Sequence, residues 1–136
     1  MGDVTFDASG ALRRFSNKVT RFPGVADVAV QAYRKEMAEK LLDLVRQKAS
    51  GRPGPNIVTG AYVSRFYVEE TSSKSSRVTN NSPQTHRLEY GFVGVDSAGR
   101  NYHQGPFPHF RPALQEIRGP YLAGMPKVVI DAWRSM

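Results

Sequence analysis

The sequence contains no cysteine. This absence excludes disulfide bonds, thiolate nucleophiles and zinc sites built on cysteine, so stability must come from packing or from assembly. No apolar run approaches the roughly 18 residues that a membrane-spanning helix needs. The opening residues MGDVTFDASG lack the basic and apolar regions of a secretory signal. We therefore expect a protein made in a cytoplasm and having no contact with a membrane.

Acidic residues are scarce as well. The chain of 136 residues has 12 Asp and Glu against 19 Lys and Arg, which leaves a net charge of +7. Such a surplus favours an acidic partner or a nearby polyanion. The length is that of one domain, so we expect a single domain over residues 1–136.

Apolar side chains at helical spacing predict a long amphipathic helix from Val25 to Ser50, which Gly51 and Pro53 then end. A shorter helix is predicted from Ala11 to Phe22. It carries only basic charges, which suit either a solvated face or a surface that meets a polyanion. These are Arg13, Arg14, Lys18 and Arg21.

Alternation of apolar and polar residues predicts strands from Ala61 to Glu70, around Val78, and from Thr85 to Val95. Residues 70–83 then include a flexible polar loop, and residues 96–110 form an aromatic loop suited to contacts. A last helix begins near Pro112, with interruptions expected at three positions. These are Gly119, Pro120 and Pro126.

The expected fold class is therefore α+β. It has N-terminal helices including one long amphipathic helix, an antiparallel sheet of three to four strands, and a C-terminal helix interrupted by prolines.

Catalytic motifs are not evident. The chain has no G-x-S-x-G elbow and no glycine-rich phosphate loop, and Glu69 and Glu70 would point to opposite faces of a strand. The spacing of Asp96, His103 and His109 matches no metal-ligand motif. We therefore expect no enzyme, cofactor or metal, with a metal hydrolase using the loop histidines as a distant alternative.

A basic domain that binds single-stranded nucleic acid is the stronger alternative. Four side chains lie in a stretch without acids between Glu70 and Glu89, and nearby aromatic rings could stack on bases. The basic group comprises Lys74, Arg77, His86 and Arg87. The aromatic group comprises Tyr62, Phe66 and Tyr67.

Three short segments occur in a distinctive order after the long helix. They are Thr59-Gly60-Ala61-Tyr62, Leu88-Glu89-Tyr90-Gly91 and Pro106-Phe107-Pro108-His109-Phe110-Arg111-Pro112-Ala113-Leu114. This succession resembles the tail-component family at the head–tail junction of long-tailed bacteriophages. The family-motif positions are Thr59, Gly60, Leu88, Glu89, Tyr90, Gly91, Pro106, Phe107, Phe110, Arg111, Pro112, Ala113 and Leu114.

The resemblance implies a noncatalytic virion protein that forms a homo-oligomeric ring, typically of six or twelve copies, in the phage neck. Such a ring joins the head to the tail and lets DNA pass, as a tail-completion or head-tail connector protein. Tail terminator is the nearest alternative role. The implied partners are neighbouring rings, such as head-closure (stopper), tail terminator or tail-tube proteins.

Two sets of residues are candidates for these contacts. The candidate subunit contacts are Tyr102, His103, Phe107, His109 and Phe110. For Phe107 and Phe110 the first expectation is that they pin the last helix to the sheet, with the subunit contact as the alternative. The candidates for facing double-stranded DNA in the lumen are Arg13, Arg14 and Lys18, which would meet phosphate without reading bases.

Overall fold

A computed structural model describes residues 2–55, 60–95 and 98–136 of the protein. It confirms the predicted class, because a long N-terminal helix and a C-terminal helix combine with small antiparallel sheets. The elements in these ranges are α1 (Ser9–Lys48), α2 (Ala61–Ser64), β1 (Phe66–Ser72), β2 (Ser75–Asn80), α3 (Thr85–Tyr90), β3 (Phe92–Val95), β4 (Asn101–Gln104) and α4 (Phe110–Arg134). None of the described helices is long and apolar enough to cross a membrane.

The helices α1 and α4 pack side by side in opposite directions. Near the start of α1, Phe22 meets the Trp133 ring at the end of α4 edge-on, with 5.2 Å between centroids. Midway along, the rings of Tyr33 and Tyr121 stack 5.5 Å apart. At the other end, the Lys48 ammonium lies 2.8 Å from the Glu116 carboxylate. The two helices therefore form an antiparallel pair, although six other described elements lie between them in the sequence.

Prolines do not divide these helices. The two predicted N-terminal helices are one, because α1 continues through Pro23, and α4 continues through Pro120 and Pro126. The predicted interruption of the C-terminal helix is therefore wrong. Each proline leaves the carbonyl four residues earlier without an amide partner. Those carbonyls belong to exposed residues, where water can replace the lost bond: Val19, Glu116 and Leu122.

The strands also differ from the prediction of one sheet with three to four strands. Within the described residues, β1 pairs only with β2 and β3 only with β4, both antiparallel. The predicted strand from Thr85 begins as the helix α3, and the residues from Ala61 form the helical turn α2 before β1. Most of the predicted 70–83 loop is the β1–β2 hairpin, and β4 lies within the predicted 96–110 loop.

The core lies where α1, β1 and the start of α4 meet. Its buried residues are Leu42, Val45, Ala49, Phe66 and Ala113. Before Arg34, no residue of α1 is fully buried. We call residues 9–33 of α1, together with residues 121–134 of α4, the helical arm. The rest of the described protein forms the body.

Candidate functional site

The three motif segments meet at the first turn of α4. Glu89 from α3 is 6 % exposed, and its carboxylate accepts hydrogen bonds from the backbone amides of His109, Phe110 and Arg111 at 2.8, 3.1 and 3.0 Å. Amides at a helix start have no carbonyl partner within the helix. A carboxylate there also interacts favourably with the positive end of the helix dipole. Glu89 therefore caps α4 from another element.

His109 continues this arrangement towards α2. Its side chain is fully buried, with Nδ1 2.9 Å from the Phe107 carbonyl oxygen and 3.2 Å from the Glu89 carboxylate. Its Nε2 lies 2.6 Å from the Tyr62 hydroxyl. These partners assign the neutral tautomer in which Nδ1–H donates and Nε2 accepts from Tyr62. Burial also holds the pKa of His109 below its usual value of 6.5.

Tyr62 completes what we call the Tyr62–His109–Glu89 network. Burial raises the pKa of Tyr62 to about 12, and the nearby Glu89 charge acts in the same direction. The Phe66 ring packs edge-on against the rings of Tyr62 and His109, with centroids 5.1 and 5.7 Å apart. The Phe66 ring thus covers one side of the network.

The order tyrosine, histidine and glutamate has the layout of a nucleophile, a base and an orienting acid. Its electrostatics oppose that chemistry, because an activated nucleophile needs a lowered pKa and that of Tyr62 is raised. The Glu89 carboxylate is engaged by three amides, and His109 has no exposed surface. The network therefore fixes the position of α4.

Other motif residues also join these segments. The Phe107 amide donates to the Leu88 carbonyl at 2.7 Å, and the Arg52 guanidinium lies 3.9 Å from the centroid of the Phe107 ring. Gly91 has φ 84°, and a Cβ there would lie 2.8 Å from the Gln104 carbonyl oxygen. The close approach of α3 and β4 therefore depends on this glycine.

The predicted subunit contacts fall into different surroundings. His109 is wrong as a direct contact, because its side chain is fully buried in its own subunit. Phe107 and Phe110 are half-buried, and Phe110 packs on Phe66 with 5.4 Å between centroids. His103 is exposed on β4. The side chain of Tyr102, like Thr59, lies outside the described residues.

The predicted lumen residues lie on the helical arm. Arg13 and Arg14 are exposed, while Lys18 is half-buried with its ammonium 4.2 Å from the centroid of the Trp133 ring. These three residues therefore form a basic surface at the end of the molecule that is remote from the core.

The nucleic-acid alternative loses its stacking platform. Phe66 is 2 % exposed and Tyr62 is engaged with His109, so neither ring is free to receive a base. Of the proposed basic group, Arg77 pairs with Glu69 at 2.5 Å and Arg87 lies over the Phe92 ring. Only Tyr67, 42 % exposed, remains of the predicted aromatic set.

The metal alternative gains nothing from the fold. In the described ranges, no group of three or more His, Asp or Glu side chains could hold a metal ion. Asp96, one of its three predicted ligands, lies outside those ranges, and His109 is occupied by Phe107, Glu89 and Tyr62.

Sequence reasoning missed the burial of two charged side chains, Glu89 and Arg34. It placed Glu89 on a strand. Because Glu89 comes 20 residues before His109, nothing in the local sequence indicated that it caps the helix that follows His109. It also left Arg34 unassigned, because a charged residue on an amphipathic helix ordinarily faces water. Arg34 is 8 % exposed and binds Glu70 at 2.6 Å, and it also contacts Ser76, which ties α1 to the β1–β2 hairpin.

Comparisons of this chain with protein-family models, with curated proteins and with solved structures found no match. Its function must therefore be inferred from its own residues and their geometry.

Proposed function

We propose that this protein is a noncatalytic subunit of a ring at the head–tail junction of a long-tailed bacteriophage. Its role there would be that of a tail-completion or head-tail connector protein, with tail terminator as the alternative within the same class. One observation carries the proposal. The three segments on which the family resemblance rests converge in the Tyr62–His109–Glu89 network.

Of the three network residues, Glu89 is itself a motif position, while Tyr62 and His109 lie within the first and third segments. The glutamate of the second segment caps the helix that the third segment opens, and Tyr62 of the first segment fixes the histidine between them. The polar groups of the network are satisfied inside the subunit. We infer that the motifs hold α4 and the chain leading into it in one orientation, as a subunit that repeats around a ring requires.

A closed ring needs two different complementary patches on each subunit. The β3–β4 sheet offers one candidate, because Val93 and Val95 are 74 % and 65 % exposed. Tyr90, 70 % exposed, lies next to this sheet in sequence. A two-stranded sheet also has edges with unpaired backbone groups, which favour pairing with another chain. The helical arm offers the second candidate, in its exposed apolar side chains Leu12, Leu122 and Ile130.

The basic end of the helical arm suits contact with passing DNA. Arg13, Arg14 and Lys18 could meet phosphates without reading sequence, which a channel for a whole genome requires. The proposed location is the virion, after synthesis in the bacterial cytoplasm.

Deletion of the gene from the phage that carries it tests the proposal. We expect DNA-filled heads and separate tails by electron microscopy, with joined particles restored by the wild-type gene supplied in trans. Joined, infectious particles without the gene would overturn the proposal.

A surface variant sharpens this test. The double substitution Val93→Asp and Val95→Asp alters exposed side chains, so the subunit should fold but fail to restore joining. Gln115→Asp adds a charge at an exposed polar position of α4 and serves as the matched control. Equal restoration by both variants would contradict a ring contact at β3.

A further inference from the structure

The face of α1 that is turned away from the sheets carries charged and apolar residues in a definite order. They follow one another at intervals of three or four residues, so they lie along one side of the helix. We call this set the outer stripe, and it comprises Arg14, Lys18, Arg21, Val25, Val28, Ala32, Glu36, Glu39 and Asp43. All are exposed except Lys18, which is half-buried against Trp133.

The order along the stripe is basic, then apolar, then acidic. Its three basic residues come first, Val25, Val28 and Ala32 form the centre, and its three acidic residues follow. The spacing is symmetric about the midpoint between residues 28 and 29. When a second copy is laid antiparallel about that midpoint, opposite charges stand level in three pairs: Arg14 with Asp43, Lys18 with Glu39, and Arg21 with Glu36.

We propose that the outer stripe is the contact surface between two copies of this chain, packed antiparallel about a two-fold axis at Val28. Such a contact uses the same patch on both subunits, so each charge pair occurs twice. A parallel arrangement would bring like charges together, so the charges select the antiparallel one. The inference is independent of the proposed function. In the dimer, Arg14 and Lys18 would face carboxylates of the second copy, which leaves Arg13 of the three candidates to meet DNA.

Five of the six charges of the stripe are available for this contact, and the sixth, Lys18, lies over the Trp133 ring. In the described part of the chain, Arg14, Arg21, Glu39 and Asp43 form no ion pair, and Glu36 has only an exposed pairing with Lys40 at 3.5 Å. The apolar centre is also uncovered, since Val28 is 72 % exposed. The stripe from Arg14 to Asp43 is about 44 Å long at roughly 1.5 Å per residue.

Exposed ion pairs are weak individually and are screened by salt. The charges should therefore set orientation and register, while burial of Val25 and Val28 adds affinity. We expect a dimer whose population rises with protein concentration and falls as salt is added.

Charge reversal tests the pairing in the full chain. The variant R14E/R21E leaves Lys18 as the one basic residue of the stripe. The variant E36R/D43R leaves Glu39 as its one acidic residue. In sedimentation velocity at low salt, wild type should reach the mass of a dimer. Each variant alone should remain a monomer, and an equimolar mixture of the two should recover the dimer.

A cysteine probe locates the axis independently of the charges. The chain has no cysteine of its own, so a single introduced thiol reports one position. Val28→Cys should form a disulfide-linked dimer on mild oxidation, because the two thiols would face each other across the axis. Lys40→Cys is the matched control, because Lys40 is exposed on the same helix but lies outside the stripe. Its two copies would lie about 35 Å apart along the helices, far beyond the roughly 7 Å Cα separation that a disulfide tolerates.

Three outcomes would overturn the inference. A wild-type chain that stays monomeric at low salt and high concentration would do so. So would a dimer that survives in R14E/R21E, or a disulfide that forms as readily at residue 40 as at residue 28. Circular dichroism of each variant confirms that folding is retained.

Discussion

At the scale of residues, Glu89 shows how one carboxylate can define a helix end. The residue before α4, His109, provides no side-chain cap of its own. Glu89 supplies the missing acceptor from α3, and its burial removes competition with water. Hydrogen bonds to a charged group are stronger than neutral ones, so this residue contributes more to stability than an ordinary polar contact.

Glu89→Gln tests this contribution with almost no change in shape. The amide lacks the charge and turns a donor towards backbone amides, so we expect a loss of about 2 to 3 kcal/mol in the free energy of unfolding. Chemical denaturation followed by circular dichroism measures it. Glu116→Gln removes an exposed partner of Lys48 and should cost less than about 1 kcal/mol. Equal losses in the two variants would refute the capping role.

His109 makes stability depend on pH. Burial lowers its pKa in the folded state, so below pH 6.5 the unfolded chain takes up a proton that the folded chain resists. Stability is therefore full above that pH and declines as the pH falls towards the folded-state pKa. We expect a lower melting temperature at pH 5.5 than at pH 7.5.

The other two histidines provide the control for this pH dependence. His86 and His103 are exposed, so the variant H86Q/H103Q should keep the decline seen in wild type. The Arg34 side chain lowers the pKa of Glu70 from 4.5, which puts its titration below the tested range. If the melting temperature of H86Q/H103Q no longer changed between pH 5.5 and pH 7.5, His109 would not be the cause of the decline.

At the scale of elements, local patterns predicted the helices better than the strands. Apolar spacing located the second half of α1, where Met37, Leu42 and Val45 are buried. It misjudged Thr85–Tyr90, since an alternating pattern of six residues also fits a short helix that buries Glu89. The predicted break between Phe22 and Val25 is wrong, because the packing of Phe22 on Trp133, distant in sequence, does not show in local propensity.

Gly91 lets α3 end and β3 begin within one residue. Gly91→Ala would place a methyl group at positive φ and 2.8 Å from the Gln104 carbonyl oxygen. Gly99→Ala is a matched control, since Gly99 has φ 79° but a Cβ there would meet no atom within 4 Å. Thermal unfolding should show that Gly91→Ala costs about 1 to 2 kcal/mol more. Similar losses of unfolding free energy in the two variants would mean that positive φ alone, and not the contact with Gln104, determines the cost.

At the scale of the whole molecule, the class of fold followed from the sequence, whereas the meeting of its segments did not. Composition and periodicity predicted mixed helix and sheet, which the structure confirms. The four strands pair locally, as two hairpins of neighbouring strands, whereas the union of Tyr62, His109 and Glu89 depends on contacts between distant residues. The motif segments marked this site in advance, but their spacing could not show that His109 would be buried.

The unequal support along α1 has a consequence for its motions. Between Arg34 and Ala49 the helix is held by a sheet as well as by α4, whereas its earlier turns have α4 alone beside them. Local unfolding requires less free energy where fewer buried contacts break. Fraying should therefore become progressively harder from Ser9 towards Lys48. We therefore expect the N-terminal half of α1 to unfold and refold locally while its C-terminal half remains folded.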